Sequence, residues 1–493
     1  METMMILVKK WSAELATKKR LGLDEASVRS ATVRPFGSYA LGVQTPDADI
    51  DLLVLTPCHC TREDFFSSFI AMLAMEPGVE ELCPVKEAFV PVVKFTLIGV
   101  HVDLLFCSLR YTKLPHPLNV LDNIHLHDLD EQASTSNLNG LRVSEMILDI
   151  MPNHENFRVT LRAIKEWARR RGIYSNVLGC LGGVNFAIMV GFVCRSFPDE
   201  LPPFLVLKVF QWFMKWKWPN PIMLNVTYDV SALSRYNNRT ISDVLGLKDW
   251  NPRHHEQDAK DLMPILTPAY PRMNSSYNVG EPQLRIIRQE ITRGLAITMR
   301  VQDRGVEWTE LFLRTDFFWR FSYYVQVDVM ASNARDYRVW FGWVESRMRG
   351  LMVNIDDPPR LEATPFANHL DNPEVGARGP GWRCSSFFIG LAPGDVNQLD
   401  LSPAWRDFIM KVQPFEGRTA AMDVDIHIRR GTELPEFCFP EGQVRRPGNR
   451  LQPYGQTAPG SGGNPASRGG GGGGGSGGSS GGDGGGPGGG DGD

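Results

Sequence analysis

Apolar and polar positions repeat with two different periods along this chain, and the change of period divides it. The opening METMMILVKKWSAELATKKR mixes apolar and charged residues as an amphipathic helix does. Strand signals follow in ADIDLLVL, in AFVPVVKFTL and, after a turn at Ile98-Gly99, in VHVDLLFC. Between them REDFFSSFIAMLAM, from Arg62 to Met75, predicts a helix with Phe65, Phe66, Phe69, Met72 and Leu73 as its apolar face. Helical spacing dominates from about Ser136 to Leu295. ENFRVTLRAIKEWARRRG predicts a helix stopping near Gly172, and GGVNFAIMVGFVC a buried one too short to span a bilayer. LVLKVFQWFMKWKW predicts a helix ending at Pro219 that packs Phe210, Phe213 and Trp216 into a core. The prolines and asparagines of NPRHHEQDAKDLMPILTPAYPRMNSSYNVG predict irregular backbone, of a length that is often functional. From about Trp308 alternation returns. In YYVQVDVMA, Val325, Val327 and Val329 share one face, Gln326 and Asp328 the other. RVWFGWVESRMRGLMVNI reads as a helix, and AMDVDIHIRR places Met422, Val424, Ile426 and Ile428 on one face. These predict a small α+β module with one polar sheet face. Beyond about Glu441 glycine, proline and serine leave almost nothing to bury, and the tail is expected to be disordered.

Composition narrows the class. Of 493 residues 42% are hydrophobic and 22% charged, which suits a globular chain of about three domains. A formal net charge of -4 requires any nucleic acid to meet a local basic surface. Eight scattered cysteines without a CxxC pair suit a reducing compartment, and Cys58-His59-Cys60 lacks the second ligand pair of a metal site.

Two carboxylates are out of place in RPFGSYALGVQTPDADIDLLVL. On a strand, residues i and i+2 point the same way, so Asp49 and Asp51 project together, roughly 6 to 7 Å apart, while Ile50 and Leu52 face a core. Like charges that close repel unless a cation sits between them, and Mg²⁺ prefers carboxylate and water oxygens. A third carboxylate, Asp103, interrupts the apolar VHVDLLF, and it joins the first two if the strands are neighbours. Gly37-Ser38 just upstream would let backbone N–H groups and a hydroxyl approach phosphate oxygens. Further on, Arg158, Arg162, Lys165 and Arg169 share one helix face, either a solvated basic surface or a phosphate site.

FGSYALGVQTPDADIDLL with VDLLF resembles the signature of the polymerase-beta-like nucleotidyltransferases. More narrowly, AFVPVVKF, LNGLRVSEMIL, NFRVTLRAIKEWARRRGIYSNVLGCLGGVNFAIMV, KWKWPNPIML, LMPILTPAYPRMNSSYNV and WFGWVESRMRGL are similar, in order, to segments of eukaryotic nuclear poly(A) polymerases, from about Ile6 to Pro447. The resemblance implies an α+β multidomain fold: a nucleotidyltransferase palm over 1–135, a helical middle domain over 136–295, an RNA-recognition-like module over 296–440 and the Gly-rich tail over 441–493. It implies template-independent transfer of AMP from ATP to an RNA 3′ end, with loss of pyrophosphate, during mRNA 3′-end processing. Asp49, Asp51 and Asp103 would be the catalytic carboxylates and would hold two ions, Mg²⁺ or Mn²⁺. Phe36, Gly37, Ser38 and Thr45 match the nucleotide-contacting loop. Lys165 and Tyr174 match triphosphate contacts, and Gly183 and Val184 match positions lining the adenine site. Asn139, Asn176 and Thr267 would be further base or ribose contacts, and Phe89 and Lys94 would touch the RNA primer. The resemblance also implies a monomer, cleavage and polyadenylation factors as partners, no membrane, and a nuclear location. Three departures stand out. The segment ahead of ILVKKW is short by several tens of residues, pointing to a truncated gene model or reduced stability; Arg169 replaces a common lysine; the tail lacks a localisation cluster. Against a terminal uridylyltransferase stand the C-terminal module and TPAYP; against an inactive RNA-binding scaffold stand the three retained carboxylates.

Overall fold

Apolar runs that carry an occasional carboxylate become the two central strands of a five-stranded sheet. The computed structural model describes residues 1–46, 48–86, 90–126, 129, 132–225, 248–358, 360–374, 379, 381–393 and 400–439. Strands β1 (Thr32–Pro35), β2 (Ile50–Thr56), β3 (Val79–Val85), β4 (Val92–Leu97) and β5 (Val100–Ser108) lie in the order β1-β2-β5-β4-β3. Only β2 and β5 pair in parallel. They are buried on both faces, which is why their sequences read as near-continuous apolar runs. Leu52, Val54, Val102 and Leu104 pack on Leu7, Trp11 and neighbours of the N-terminal helix Glu2–Lys18. Leu53, Leu55, Leu105 and Cys107 pack instead on Leu138 and Leu141 of the helix Gln132–Ile150.

The turn at Ile98-Gly99 joins β4 to β5 with positive φ at both residues (51° and 76°) and Leu97 opposite Val100, the geometry that matches strand twist in a two-residue hairpin. Edge strands β1 and β3 had no reading in the sequence: β1 is four residues long, and β3 carries two glutamates, a proline and a bulge after Glu80. The helix from Arg62 is realised to Leu73, with a π-helical segment Phe65–Phe69 that buries all three phenylalanines.

Four further helices, His154–Arg170, Gly183–Ser196, Pro202–Lys215 and Glu281–Gln302, enclose a core of Trp167, Phe186, Phe210, Phe213, Ile287 and Ile291. Trp216 packs on its margin. Short strands β6 (Ile222–Met223) and β7 (Ile265–Leu266) pair in parallel beside it. Two of the divisions implied by the resemblance fall within helices. The 135/136 division cuts Gln132–Ile150, and the 295/296 division cuts Glu281–Gln302. Met1–Pro447 forms one compact unit. Part of the reason is a buried ion pair. Arg171 donates to both oxygens of Glu290 (2.8 and 3.0 Å) and to the carbonyls of Leu313 and Arg314 (2.9 Å each), binding three segments at one point.

The last sheet has β8 (Tyr323–Ala331), β9 (Leu361–Asp371), β10 (Arg383–Pro393) and β11 (Met422–Arg430) in the order β11-β8-β10-β9, all antiparallel. With the helices Ala334–Ile355 and Ser402–Val412 it makes a βαββαβ module of RNA-recognition type. The valine face of β8 packs on Trp340, Val344 and Met348 as expected. The opposite face carries Gln326 and Asp328, but it is not open. Gln326 is fully buried and Asp328 is 6% exposed. Asp328 accepts from Gln326 Nε2 (2.8 Å) and from the Ser386 hydroxyl. Phe317, Phe318, Phe321 and Cys438 close over the neighbouring Tyr324 and Phe388. Phe321 lies on Gly390, where a side chain would have no room. Alternation placed the polar residues on one face; segments from outside the sheet decided that the face is covered. The expected disordered tail, 441–493, lies outside the described residues. Among the described residues no helix is long and apolar enough to cross a membrane.

Candidate active site

Parallel pairing of β2 and β5 puts Asp51 directly beside Asp103. Asp49 does not share their strand. β2 begins at Ile50, and Asp49 is exposed on the segment leading into it; its charge acts on Asp51, and with Asp103 it lines the cleft beside Lys94. On the far side of β5, Lys94 of β4 stands opposite Asp103, and its Nζ lies 2.6 Å from Asp103 Oδ2. Burial pushes the Asp51 carboxyl up to about 7; the negative charges of Asp103 and Asp49 push the same way, and Lys94 opposes them. Among the described residues no three His, Cys, Asp or Glu side chains converge into a closed metal-binding group. The charges of Asp103 and Asp49 act on Asp51, and one ammonium, Lys94, stands against these three acids. A hard divalent cation, which takes carboxylate and water oxygens, fits that donor set.

The Gly-Ser turn folds against this pair. β1 runs into a four-residue helix, Gly37–Ala40. Phe36 N–H donates to the Asp51 carbonyl (3.0 Å), and Gly37 sits at φ +62°, where an added Cβ would overlap Asp51 Oδ2. Glycine is therefore required twice here, by conformation and by the closeness of the carboxylate. Gly37 N–H, expected to face a phosphate, donates instead to the Ser144 hydroxyl (3.0 Å). The Phe36 ring lies against Gly140 and joins the core on that side of the sheet. Ser38 and Thr45 are half-buried along the same loop.

The basic face of His154–Arg170 turns three of its side chains onto the loop that follows Gly37–Ala40. Arg158 Nε donates to the carbonyl of Leu41 (3.2 Å), Arg162 Nη2 to that of Gly42 (2.5 Å), and Lys165 Nζ to that of Val43 (3.1 Å). Three side chains one turn apart thus hold three consecutive carbonyls of the loop that follows Gly37–Ala40. Lys165 is 3% exposed, and burial, helped by the Arg169 charge, lowers its ammonium to about 8. A charge so desolvated calls for an anion. Arg169 lies over the Tyr174 ring, 4.8 Å from its centroid.

A second group gathers at the start of Gly183–Ser196. Tyr174 stacks on Phe186 (5.8 Å between centroids), and burial raises its phenol above the ordinary value. A Cβ on Gly183 would sit 2.9 Å from Tyr174 Oη. Val184 is 37% exposed at the helix start. Among the described residues, Asn139 and Asn176 each keep a buried Oδ1 with no donor; Asn139 Nδ2 lies 3.6 Å from Met273 Sδ. Thr267 Oγ1 accepts from Met273 N–H (3.0 Å). Thr267 thus braces Met273 and keeps its own O–H to donate, while the two asparagine oxygens can accept from a base amine or a ribose hydroxyl. Ser144 and Met273 belong to the site and carried no sequence signal, being a common hydroxyl and a common apolar residue. Phe89 lies outside the described residues.

Three family models match the chain in order. They are the poly(A) polymerase nucleotidyltransferase domain over residues 1–151, the poly(A) polymerase central domain over 156–314, and the poly(A) polymerase predicted RNA binding domain over 316–376. The chain is 37% identical over 450 residues to a poly(A) polymerase of Dictyostelium discoideum, covering 88% of this chain and 53% of that one. It is 38% identical over 456 residues to nuclear poly(A) polymerase 2 of Arabidopsis thaliana, covering 90% and 54%. It therefore spans about half the length of these curated relatives. A solved structure of the Cid1 poly(U) polymerase superposes with a TM-score of 0.38 at 15% identity, over 64% of this chain and 94% of that one.

Proposed function

The chain belongs to the poly(A) polymerase family, and on that premise we propose that its cleft transfers AMP from ATP to the 3′ end of an RNA and releases pyrophosphate. The observation that carries this reading is one loop with a different chemistry at each end. Gly37 lies against the Asp51 carboxylate, and six residues later the Val43 carbonyl holds the buried ammonium of Lys165. A cation site and an anion site so joined suit a metal-bound triphosphate.

Asp49, Asp51 and Asp103 would hold two divalent ions, Mg²⁺ or Mn²⁺; bound there, such ions supply charge neutralisation and acidify a 3′-hydroxyl. Lys165 and Tyr174 hold the β- and γ-phosphates, whose charge grows as the bond to the α-phosphorus breaks. Asn139 and Asn176 accept from the adenosine, Val184 covers the base, and Gly183 keeps the space beside Tyr174 open. Thr267 orients this pocket through Met273. Phe36, Ser38 and Thr45 fix the loop, and Phe89 and Lys94 receive the RNA. The 3′-oxygen bonds to the α-phosphorus as pyrophosphate leaves, so the protein's work is positioning and electrostatics. By the same family membership the enzyme acts as a monomer in the nucleus with factors of mRNA 3′-end processing.

Primer extension tests the reading. Full-length protein with labelled oligo(A), Mn²⁺ or Mg²⁺ and each nucleoside triphosphate singly should yield a ladder with ATP, absent in Asp51→Asn. A ladder mainly with UTP would replace adenylyl by uridylyl transfer. The pH profile should be bell-shaped. Asp51, raised to about 7, must be ionised to face a cation, so kcat/KM for ATP rises as pH passes through 7. Lys165, lowered to about 8, must be charged to hold phosphate, so kcat/KM falls above 8. More Mn²⁺ should shift the acid limb to lower pH, because metal and proton compete for one carboxylate. A flat profile across neutral pH would contradict both assignments.

A further inference from the structure

Lys94 has a partner that the reaction needs elsewhere. Its ammonium is 2.6 Å from Asp103 Oδ2, with the two side chains 46% and 20% exposed. The strands that carry them are already joined by backbone pairing and by Val93, Phe95, Val102 and Leu104 in the core, so this half-exposed ion pair adds little to stability. It matters for charge. Three carboxylates with one ammonium leave two formal negative charges, and a divalent cation on Asp103 would displace the ammonium from the oxygen it holds. The displaced group has somewhere to go. A cleft of about 230 Å³ opens beside it, lined by Asp49, Lys94, His101, Asp103, Glu81 and Arg338. Two of its other basic groups are engaged. Arg338 Nη2 pairs with Glu81 Oε2 at 2.8 Å, and His101 Nδ1 lies 3.1 Å from the Thr96 hydroxyl. Lysine is a point charge on a flexible four-carbon stem, suited to exchange one oxygen anion for another.

We propose that Lys94 is the place-holding counter-ion of Asp103, which yields the carboxylate to a divalent cation and turns to a phosphodiester of the RNA 3′ end. This rests on the reading that the carboxylates take divalent cations. Metal and RNA then favour the same position of one side chain, so each tightens the binding of the other by an equal factor.

The test is direct Mn²⁺ binding, followed by the spin resonance of free Mn²⁺ on the full chain, with and without a short oligo(A). Without RNA, Lys94→Met should bind Mn²⁺ roughly three- to tenfold tighter than the parent, the range expected when a half-exposed competing charge is removed. Oligo(A) should tighten Mn²⁺ binding by the parent and leave the variant unchanged. Lys94→Arg, which keeps the charge, should retain the coupling. The proposal is overturned if Lys94→Met binds Mn²⁺ no tighter, if oligo(A) acts equally on variant and parent, or if neither binds Mn²⁺. Nucleotide addition is not read in this experiment. An ATP ladder without the Mn²⁺ pattern sinks only the exchange; the Mn²⁺ pattern without a ladder sinks only the polymerase reading.

Discussion

Asp51→Asn is expected to lose at least about 10³-fold in kcat/KM for ATP, the scale set by several kcal/mol of metal-assisted charge stabilisation, while melting at the parent's temperature or above. The two halves of the result have one cause. Asp51 is half-buried beside Asp103, and its carboxyl is raised to about 7 from an ordinary 3.8. A folded-state pKa above the unfolded value means that the native protein binds more protons between 3.8 and 7. Stability therefore falls as pH climbs through that window, and above 7 the full cost of the ionised group is present. Asparagine keeps the shape and removes the charge. The parent should thus gain stability as pH is lowered from 7 towards 4, and the difference between parent and Asp51→Asn should shrink. Thermal melts across that window decide the matter. A variant that melts well below the parent at pH above 7 would mean that Asp51 is held by favourable contacts rather than by repulsion.

Gly37→Ala is expected to cost roughly 10²- to 10³-fold in kcat/KM, an estimate for misplacing one charged group at the reacting centre, and unlike Asp51→Asn it should also lower stability. A Cβ there would overlap Asp51 Oδ2, and φ is +62°. An L-residue in that conformation costs about 1 to 2 kcal/mol. The carboxylate, lying at the open end of its strand, gives way first, so the catalytic loss exceeds what the melting shift implies. Steady-state kinetics beside a denaturant titration would show this. Near-parental activity would place the working position of Asp51 away from the turn.

How far the sequence could be read depended on whether a residue's role is local. β2 and β5 were legible because parallel central strands leave a carboxylate conspicuous, and Asp51 and Asp103 do stand in register. The helices and the valine face of β8 were legible from period alone. The unread part consists of relations between distant segments. Asp49 lies one residue ahead of its strand, a boundary that pattern cannot fix. The covered face of β8 depends on phenylalanines that arrive from outside the sheet. Gly37 N–H is taken by a hydroxyl more than a hundred residues away. Arg158, Arg162 and Lys165 showed their spacing but not their target, because a backbone carbonyl looks the same in every sequence.

That last property has a consequence for how such a loop can change over generations. A clamp built from side chains on both partners ties their mutations together. Here the helix grips the carbonyls of Leu41, Gly42 and Val43, a group every residue type supplies, yet Gly42 sits at φ +70° with no room for a Cβ beside Arg158, and Leu41 and Val43 are buried in the core. Constraint therefore falls on both partners, on the three basic residues through their charge and on Leu41, Gly42 and Val43 through packing and backbone conformation, and drift is left to exposed loop positions such as Tyr39 and Gln44.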